Sequence, residues 1–329
     1  MKLKKKYGIW IFVFLLVFVG VISACSEEEG KIETVKPEDS ESGDSSGTIP
    51  TVENITPVKQ AINVSKSTNI TVTFDIAMDP STITANSSDT SCTGTVQVSN
   101  DGFSSCIQMD GNPSPDGENK VFTLIPGADL TLEKTYVVKV TTGAKSEDGM
   151  GLSTDYAQSN GFIVSEWIVI FKIDTPSNGN FASSHDSDCQ GAKTANNIGG
   201  ANVAPFISND STDMEDVGPG SGKKVVSKNG TQISSDWGNG SSNLFQGTQD
   251  ATWYDAGVLD DPSDKWWSGS NSNGTKHFYR CNNGGAWTDD SNAYQGVVGV
   301  ADDTASGRAI DDSSYPTCNN VYYKLCVAW

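Results

Sequence analysis

Seven cysteines constrain the fold of this 329-residue chain more than any other feature. The first, Cys25, follows a lysine-rich start and an apolar run over 8–22, an arrangement typical of an export signal. The other six are Cys92, Cys106, Cys189, Cys281, Cys318 and Cys326. No two of them have the CxxC spacing of a zinc site, and an even number in an exported chain favours three disulfides.

The segment around Cys25 predicts how the chain reaches its destination. Residues 22–25, ISAC, resemble the lipobox of bacterial lipoproteins, which implies a signal peptide over 1–24 and lipidation of Cys25. An uncleaved membrane anchor is the alternative, but the apolar run is short for a full span. Residues 25–49 are acidic and rich in Ser and Gly, so we expect a disordered tether. Ser26 is not the Asp that retains some lipoproteins at the inner membrane, and we expect a lipid-anchored protein of the outer membrane, exposed at the cell surface.

The charge of the chain restricts its partners. The formal net charge is −19, and it becomes more negative when the lysines of the signal are removed. No stretch of the sequence concentrates enough basic residues to override this charge. We therefore expect no binding to nucleic acid and attachment to a membrane only through the lipid.

Residues 50–165 show the short alternating stretches of an antiparallel β-sandwich. Apolar residues alternate with polar ones over 70–75 and again over 136–140. The stretches TVTFDIAMDP (71–80), LEKTYVVKV (132–140) and GAKSEDGMG (143–151) resemble the bacterial Ig-like domain of S-layer-type and other surface proteins. We expect Tyr136 to stabilise a corner of this sandwich through its hydroxyl, and Cys92 to pair with Cys106 across a hairpin.

Residues 166–329 open on an apolar strand, 167–171, and are otherwise rich in Gly, Ser and Asn. A helix is expected around 189–197, because the preceding residues offer caps and acidic first-turn side chains. With four cysteines in this region, three connectivities remain open on composition alone.

The C-terminal region resembles the endostatin domain, a compact α+β fold of the C-type-lectin-like class. The resemblance rests on WSGSNSNG (267–274), a cysteine and a tryptophan after it, AYQG (293–296), CNNVYYKLC (318–326), and upstream on DCQ (188–190) and APFIS (204–208). It implies the nested pairing of Cys189 with Cys326 and of Cys281 with Cys318. The whole chain is thus expected to be β-rich and to have two domains, an Ig-like sandwich followed by this α+β domain.

The order of lipobox, acidic tether, Ig-like domain and endostatin-like domain resembles the endostatin-like surface lipoproteins of leptospires. That resemblance implies an adhesin that binds host extracellular-matrix proteins, plasminogen or complement regulators such as factor H. The basic residues and N-terminal histidines with which endostatin binds heparin and zinc have no counterpart here. The two histidines, His185 and His277, are expected to be solvated surface residues.

The stretch WWSGSNSNGTKHFYRC, 266–281, is the candidate ligand platform. We expect Trp267 to pack in the core and Trp266, one residue away on an extended strand, to point to the opposite face. The hypothesis for a ligand site comprises Trp266, Ser270, Asn271 and Asn273.

Other functional classes find less support in the sequence. Gly218–Lys224 lacks essential residues of a phosphate loop, no hydrolase motif is present, and no cofactor or metal is expected. A carbohydrate-binding lectin is the main alternative, because 287–290 is similar to the WND strand of C-type lectins. The tripeptide that completes their calcium site is missing, and we expect Asp289 to be a surface carboxylate. A structural envelope lipoprotein is the third possibility.

Overall fold

A computed structural model describes residues 47–220, 222–238 and 243–329. The predicted signal peptide, the lipidation site Cys25 and nearly all of the predicted tether lie outside the described residues. Within the described part, no helix has the length and apolar character needed to cross a bilayer.

The first region forms two antiparallel sheets. Its strands are β1 (Val52–Thr56), β2 (Ile70–Phe74), β3 (Val96–Ser99), β4 (Ser114–Pro115), β5 (Val121–Leu124), β6 (Lys134–Val140), β7 (Tyr156–Ala157) and β8 (Phe162–Val164). One sheet has the order β1-β2-β5-β4, and the other joins β3, β7 and β8 to β6. Alternate residues of β2 and β6 are buried in one hydrophobic cluster between the sheets. The predicted alternation is therefore confirmed, since each strand gives one face to a shared core.

Tyr136 has the predicted corner role. Its hydroxyl accepts a hydrogen bond from the Thr131 backbone N–H at 2.8 Å and donates to the Thr131 carbonyl at 3.3 Å. The ring is fully buried and stacks on Phe162, with 5.8 Å between the ring centroids. The tyrosine thus joins the turn before β6 to the core of the sandwich.

The second region is built on a mixed seven-stranded sheet. Its elements are β9 (Ile168–Ser177), α1 (His185–Ala195), β10 (Val203–Pro205), β11 (Val225–Ser227), β12 (Gln232–Ser234), β13 (Lys265–Trp267), β14 (Val298–Val300), α2 (Ser306–Ile310) and β15 (Tyr322–Ala328). The sheet has the order β12-β11-β9-β15-β13-β14, and β10 pairs with β15. Strands β11 and β13 run parallel to their central neighbours, and the remaining pairs are antiparallel.

Two elements differ in extent from the sequence prediction. Strand β9 continues six residues beyond the predicted apolar run, because β15 pairs with it from Val169 to Ser177. Helix α1 begins at His185, directly after Ser184, and not near Cys189. It ends before Asn197, whose positive φ of 54° stops the helical path.

Three disulfides join the six expected cysteines. Cys92 is bonded to Cys106, Cys189 to Cys326, and Cys281 to Cys318, with Cα–Cα distances of 5.0, 5.6 and 5.6 Å. The first pair is the one expected across a hairpin, and the other two are those that the resemblance of 166–329 implied. The second disulfide fastens α1 to the central strand β15.

The described residues between 47 and 329 belong to one compact unit, and the Ig-like sandwich contacts the second region directly. Ile62 packs in a cluster with Val169 and Ile198, and its carbonyl accepts a hydrogen bond from Gly199 N–H at 2.8 Å. Trp167 donates its indole N–H to Glu133 at 2.9 Å, and the Lys224 ammonium lies 4.4 Å from its ring centroid. This junction therefore combines apolar, hydrogen-bonded and cation–π contacts.

Candidate binding surface

The two adjacent tryptophans of the candidate platform are both fully buried, with relative exposures of 0%. Trp266 stacks on Phe206 at 5.4 Å between centroids, and its indole N–H donates to the Ala309 carbonyl at 3.1 Å. Trp267 packs edge-on against Tyr322 and donates to the Ser177 carbonyl at 2.9 Å. The expectation for Trp267 is confirmed, and the hypothesis that Trp266 is an accessible ligand residue is wrong.

The sheet topology explains this outcome. The side chains of Trp266 and Trp267 do point to opposite faces, as an extended strand requires, and they belong to different hydrophobic clusters. Strand β13 lies inside the sheet, between β14 and β15, and protein covers both of its faces. A strand buried on both faces leaves neither tryptophan at the surface.

Ser270 is also buried and hydrogen-bonded, so its side chain is not available to a ligand as hypothesised. Its hydroxyl lies 2.6 Å from that of Ser208, and the Ser208 hydroxyl also accepts the Met214 backbone N–H. Asn271 and Asn273 lie nearer the surface, and both hydrogen-bond to Thr275. The side chains of Asn271 and Asn273 therefore form hydrogen bonds within their own turn.

The turn is a compact loop whose ends meet. The His277 backbone N–H donates to the Gly269 carbonyl at 2.8 Å, and residues 270 and 276 form an isolated bridge. Gly269 has a φ of 61°, and a Cβ there would lie 2.5 Å from the Trp287 ring. Position 269 therefore requires glycine both for its backbone conformation and for the close approach of Trp287.

The residues directly after this loop place four aromatic rings together at the surface. We name the group of His277, Phe278, Tyr279 and Tyr315 the aromatic patch. Centroid distances are 5.0 Å between His277 and Tyr315, 4.9 Å between Tyr279 and Tyr315, and 5.4 Å between Phe278 and Tyr279. Phe278 is 77% exposed, which is the largest exposure among the large hydrophobic side chains described.

The patch is fixed to the domain on both sides. Cys281 follows Tyr279 by two residues, and its disulfide to Cys318 holds this segment close to the one that carries Tyr315. Arg280 donates to the His277 carbonyl and forms an ion pair with Asp210 at 3.0 Å. Rings held in this way need little ordering when a partner binds them.

A carboxylate four residues before Tyr315, Asp311, interacts electrostatically with two members of the patch. Burial raises the pKa of Asp311 above its usual value, and the Ser313 N–H, which donates to it at 3.0 Å, opposes the shift. Burial lowers the pKa of His277, opposed by attraction to Asp311 and assisted by repulsion from Arg280. The charge of Asp311 also raises the pKa of Tyr315, in addition to burial. The patch therefore combines ring faces with a negative charge that acts on two of its members.

The sequence interpretation missed this group. Residues 277–279 lie within the predicted ligand platform, but the hypothesis named Trp266 as its aromatic residue because tryptophan has the larger ring. Consecutive aromatic residues after a polar turn and before a cysteine were the available signal. Tyr315 could not be assigned to the group from sequence, because it lies 36 residues away from Tyr279 and is brought there by the fold.

The expectation that His185 is solvated is wrong. It is 3% exposed, packs edge-on against Phe181 at 5.1 Å, and has its pKa lowered to about 3, chiefly by burial and further by repulsion from Lys324. Cys189 and Cys326 lie close to it, but both sulfurs form a disulfide and are not free thiolates for a metal. This group of donors is therefore a structural cluster.

Asp289 also differs from its expected place at the surface, with an exposure of only 7%. One carboxylate oxygen accepts the hydroxyl and the backbone N–H of Ser291, at 2.6 and 2.8 Å. The other accepts the Asn283 amide at 3.3 Å. Asp289 thus stabilises its own loop.

Comparison with known proteins identifies the first region. Residues 46–163 match the family model of the bacterial Ig-like domain. This part of the chain is a bacterial Ig-like domain. The match agrees with the two antiparallel sheets described above, and it extends over nearly the whole of the Ig-like domain predicted at 50–165. No curated protein matches the chain.

Solved structures give only distant likenesses. Domains 1–6 of the surface layer protein SbsC are 18% identical, with 40% of this chain and 17% of that chain covered and a TM-score of 0.26. An Escherichia coli alpha-2-macroglobulin fragment spanning domains MG0-NIE-MG1 is 15% identical, with 41% and 40% covered and a TM-score of 0.26. The chain therefore spans less than half the length of either structure.

Proposed function

We propose that this protein is a surface lipoprotein whose C-terminal domain is a non-catalytic binding module, an adhesin for host extracellular-matrix proteins, plasminogen or complement regulators. The aromatic patch is the observation that carries the proposal. An exposed phenylalanine in contact with a tyrosine on a disulfide-bonded segment has the aromatic composition in which protein interfaces are enriched. The endostatin-like resemblance of 166–329 supports the same function.

The Ig-like domain serves as a spacer in this proposal. Tyr136 and the Cys92–Cys106 disulfide both stabilise its own sandwich. Lipidation of Cys25 would fix the chain to the outer membrane and leave the C-terminal domain free to contact a host protein.

The first experiment measures exposure on the cell. Protease added to intact cells should remove the C-terminal domain, and a protein of the periplasm in the same cells should stay intact. If the domain is cut only after the cells are lysed, the protein works within the envelope and the adhesin proposal is wrong.

The second experiment measures binding. The purified full chain should bind at least one of laminin, fibronectin, plasminogen and factor H with saturation in a solid-phase assay. Glycan binding that EDTA abolishes, without binding to any of these proteins, would instead identify the lectin alternative.

A further inference from the structure

In the C-terminal domain, most basic side chains form ion pairs, whereas most acidic side chains do not. Residues 166–329 contain ten Lys or Arg residues and twenty Asp or Glu residues. Eight of the ten cations form an ion pair with a carboxylate: Lys172, Lys223, Lys224, Lys265, Lys276, Arg280, Arg308 and Lys324. The other two, Lys193 and Lys228, donate to the Gly200 carbonyl and to the Asn196 side chain.

A smaller fraction of the carboxylates forms ion pairs. Only eight of the twenty take part in these ion pairs: Glu166, Asp174, Asp188, Asp210, Asp213, Asp260, Asp303 and Asp312. The remaining twelve have no ion-pair partner among the described residues. The charge that this domain offers to a partner is therefore almost entirely negative.

This imbalance extends to the aromatic patch. Asp311 acts on His277 and Tyr315, and it forms no ion pair within the described residues. Two cations adjoin the segments of the patch, and both are already paired: Arg280 with Asp210, and Lys265, which also donates to Ser314, with Asp312. A cation of a partner that approaches Tyr315 would therefore be attracted by a carboxylate that has no ion pair within the described residues.

We propose that the aromatic patch is the docking site for a lysine- or arginine-rich segment of a protein partner. A guanidinium or ammonium over Tyr279, Tyr315 or Phe278 gains a cation–π contact, and a cation of the same segment near Tyr315 is attracted by Asp311. This inference rests on the proposed binding function and names the chemistry of the partner. It disfavours heparin and other polyanions, which the unpaired carboxylates would repel.

The test uses the purified full chain and a short alternating Gly-Arg peptide as the probe. A Gly-Glu peptide of the same length controls for charge. The structure predicts saturable binding of the Gly-Arg peptide and none of the Gly-Glu peptide. Phe278→Ala should weaken the binding about fivefold, the factor that corresponds to a contact of roughly 1 kcal/mol. Phe278→Trp should retain it. Because Phe278 is exposed, neither change should alter the melting temperature.

Matched variants separate a site from diffuse attraction by an acidic protein. Tyr254→Ala removes another exposed ring on a different loop, and Asp302→Asn removes an exposed carboxylate elsewhere. Asp311→Asn should weaken binding more than Asp302→Asn, and Phe278→Ala more than Tyr254→Ala. Equal effects within each pair would overturn the proposal.

The outcomes also distinguish this inference from the adhesin proposal. If Phe278→Ala and Asp311→Asn leave the binding of a matrix protein unchanged, the aromatic patch is not the docking site, but the adhesin proposal still holds. If the Gly-Arg peptide binds through the patch and none of the four host proteins binds, those host ligands are wrong. The inference that the patch docks a basic segment would still hold.

Discussion

At the scale of single residues, burial decides roles that residue type leaves open. His185 and His277 are the two histidines of the chain, and sequence alone assigned both to the solvent. His185, the first residue of α1, is buried against Phe181, whose ring Lys324 also contacts, whereas His277 joins the rings of the aromatic patch. The difference comes from residues distant in sequence.

The pKa of His185 leads to a prediction about acid stability. The folded pKa lies near 3 and the unfolded pKa near 6.5, so the unfolded chain binds a proton between these values that the folded chain does not. The contribution of neutral His185 to stability is complete above pH 6.5 and decreases as the pH falls. The free energy of unfolding should drop by about 1.4 kcal/mol per pH unit from this group.

Urea unfolding at pH 7 and pH 5 checks the prediction. His185→Gln should lose less stability between the two pH values than the wild type, by roughly 2 kcal/mol, whatever its stability at pH 7. His277→Gln is the matched control, because His277 is only half-buried and should change the slope less. Parallel curves for the wild type and His185→Gln would show that His185 titrates normally in the fold.

At the scale of elements, the disulfides should differ in how much they stabilise the fold, because the loops that they close differ in length. Cys189 and Cys326 are separated by 137 residues and join α1 to β15, whereas Cys92 and Cys106 are separated by 14 residues. Helix α1 has few apolar residues and packs on β9, β10 and β15. The disulfide therefore supplies attachment that the helix surface cannot supply by burial alone.

Removing each disulfide should cost stability in the order of loop length. The chain-entropy model gives about 5 kcal/mol for Cys189–Cys326 and about 3 kcal/mol for Cys92–Cys106. Paired Cys-to-Ala variants, unfolded in urea, measure both losses, and the smaller loop is the matched control. A larger loss for Cys92–Cys106 would mean that strain or packing outweighs the loop entropy.

At the scale of the whole molecule, the two regions are joined by specific contacts between side chains. Trp167 is the centre of this junction, because Glu133 belongs to the Ig-like domain and Lys224 to the C-terminal domain. Asn63 of the Ig-like domain also accepts the Trp167 backbone N–H at 2.8 Å. Two regions connected in this way should move as one body.

Trp167→Ala should loosen the junction without unfolding either region. The indole hydrogen bond to a carboxylate and the cation–π contact together contribute about 2 kcal/mol. Small-angle scattering should show a wider distribution of dimensions, and urea unfolding should separate into two transitions. Trp167→Phe keeps the ring and removes only the hydrogen bond, so its effect should be smaller. Unchanged scattering for Trp167→Ala would locate the coupling in the Ile62 cluster instead.

The sequence by itself determined the local features of this protein. Alternation of apolar residues predicted β2 and β6, the position of Tyr136 predicted its corner, and an even cysteine count in a chain expected to be exported predicted three disulfides. The strands and the corner follow from periodicity and from chemistry that acts between near neighbours, and the number of disulfides follows from the cysteine count. The bacterial Ig-like domain was recognisable for the same reason.

Only the tertiary structure decided which aromatic rings reach the surface. Adjacent residues of a strand point to opposite faces, but whether each face meets solvent depends on the strands and loops that pack against it. Trp266 is buried because β13 lies inside the sheet, and Phe278 is exposed because its segment leaves the sheet after the loop that Gly269 begins. The ring faces and charges of the proposed binding surface come together from 277–279 and from 311–315, and no periodicity in the sequence relates those two segments.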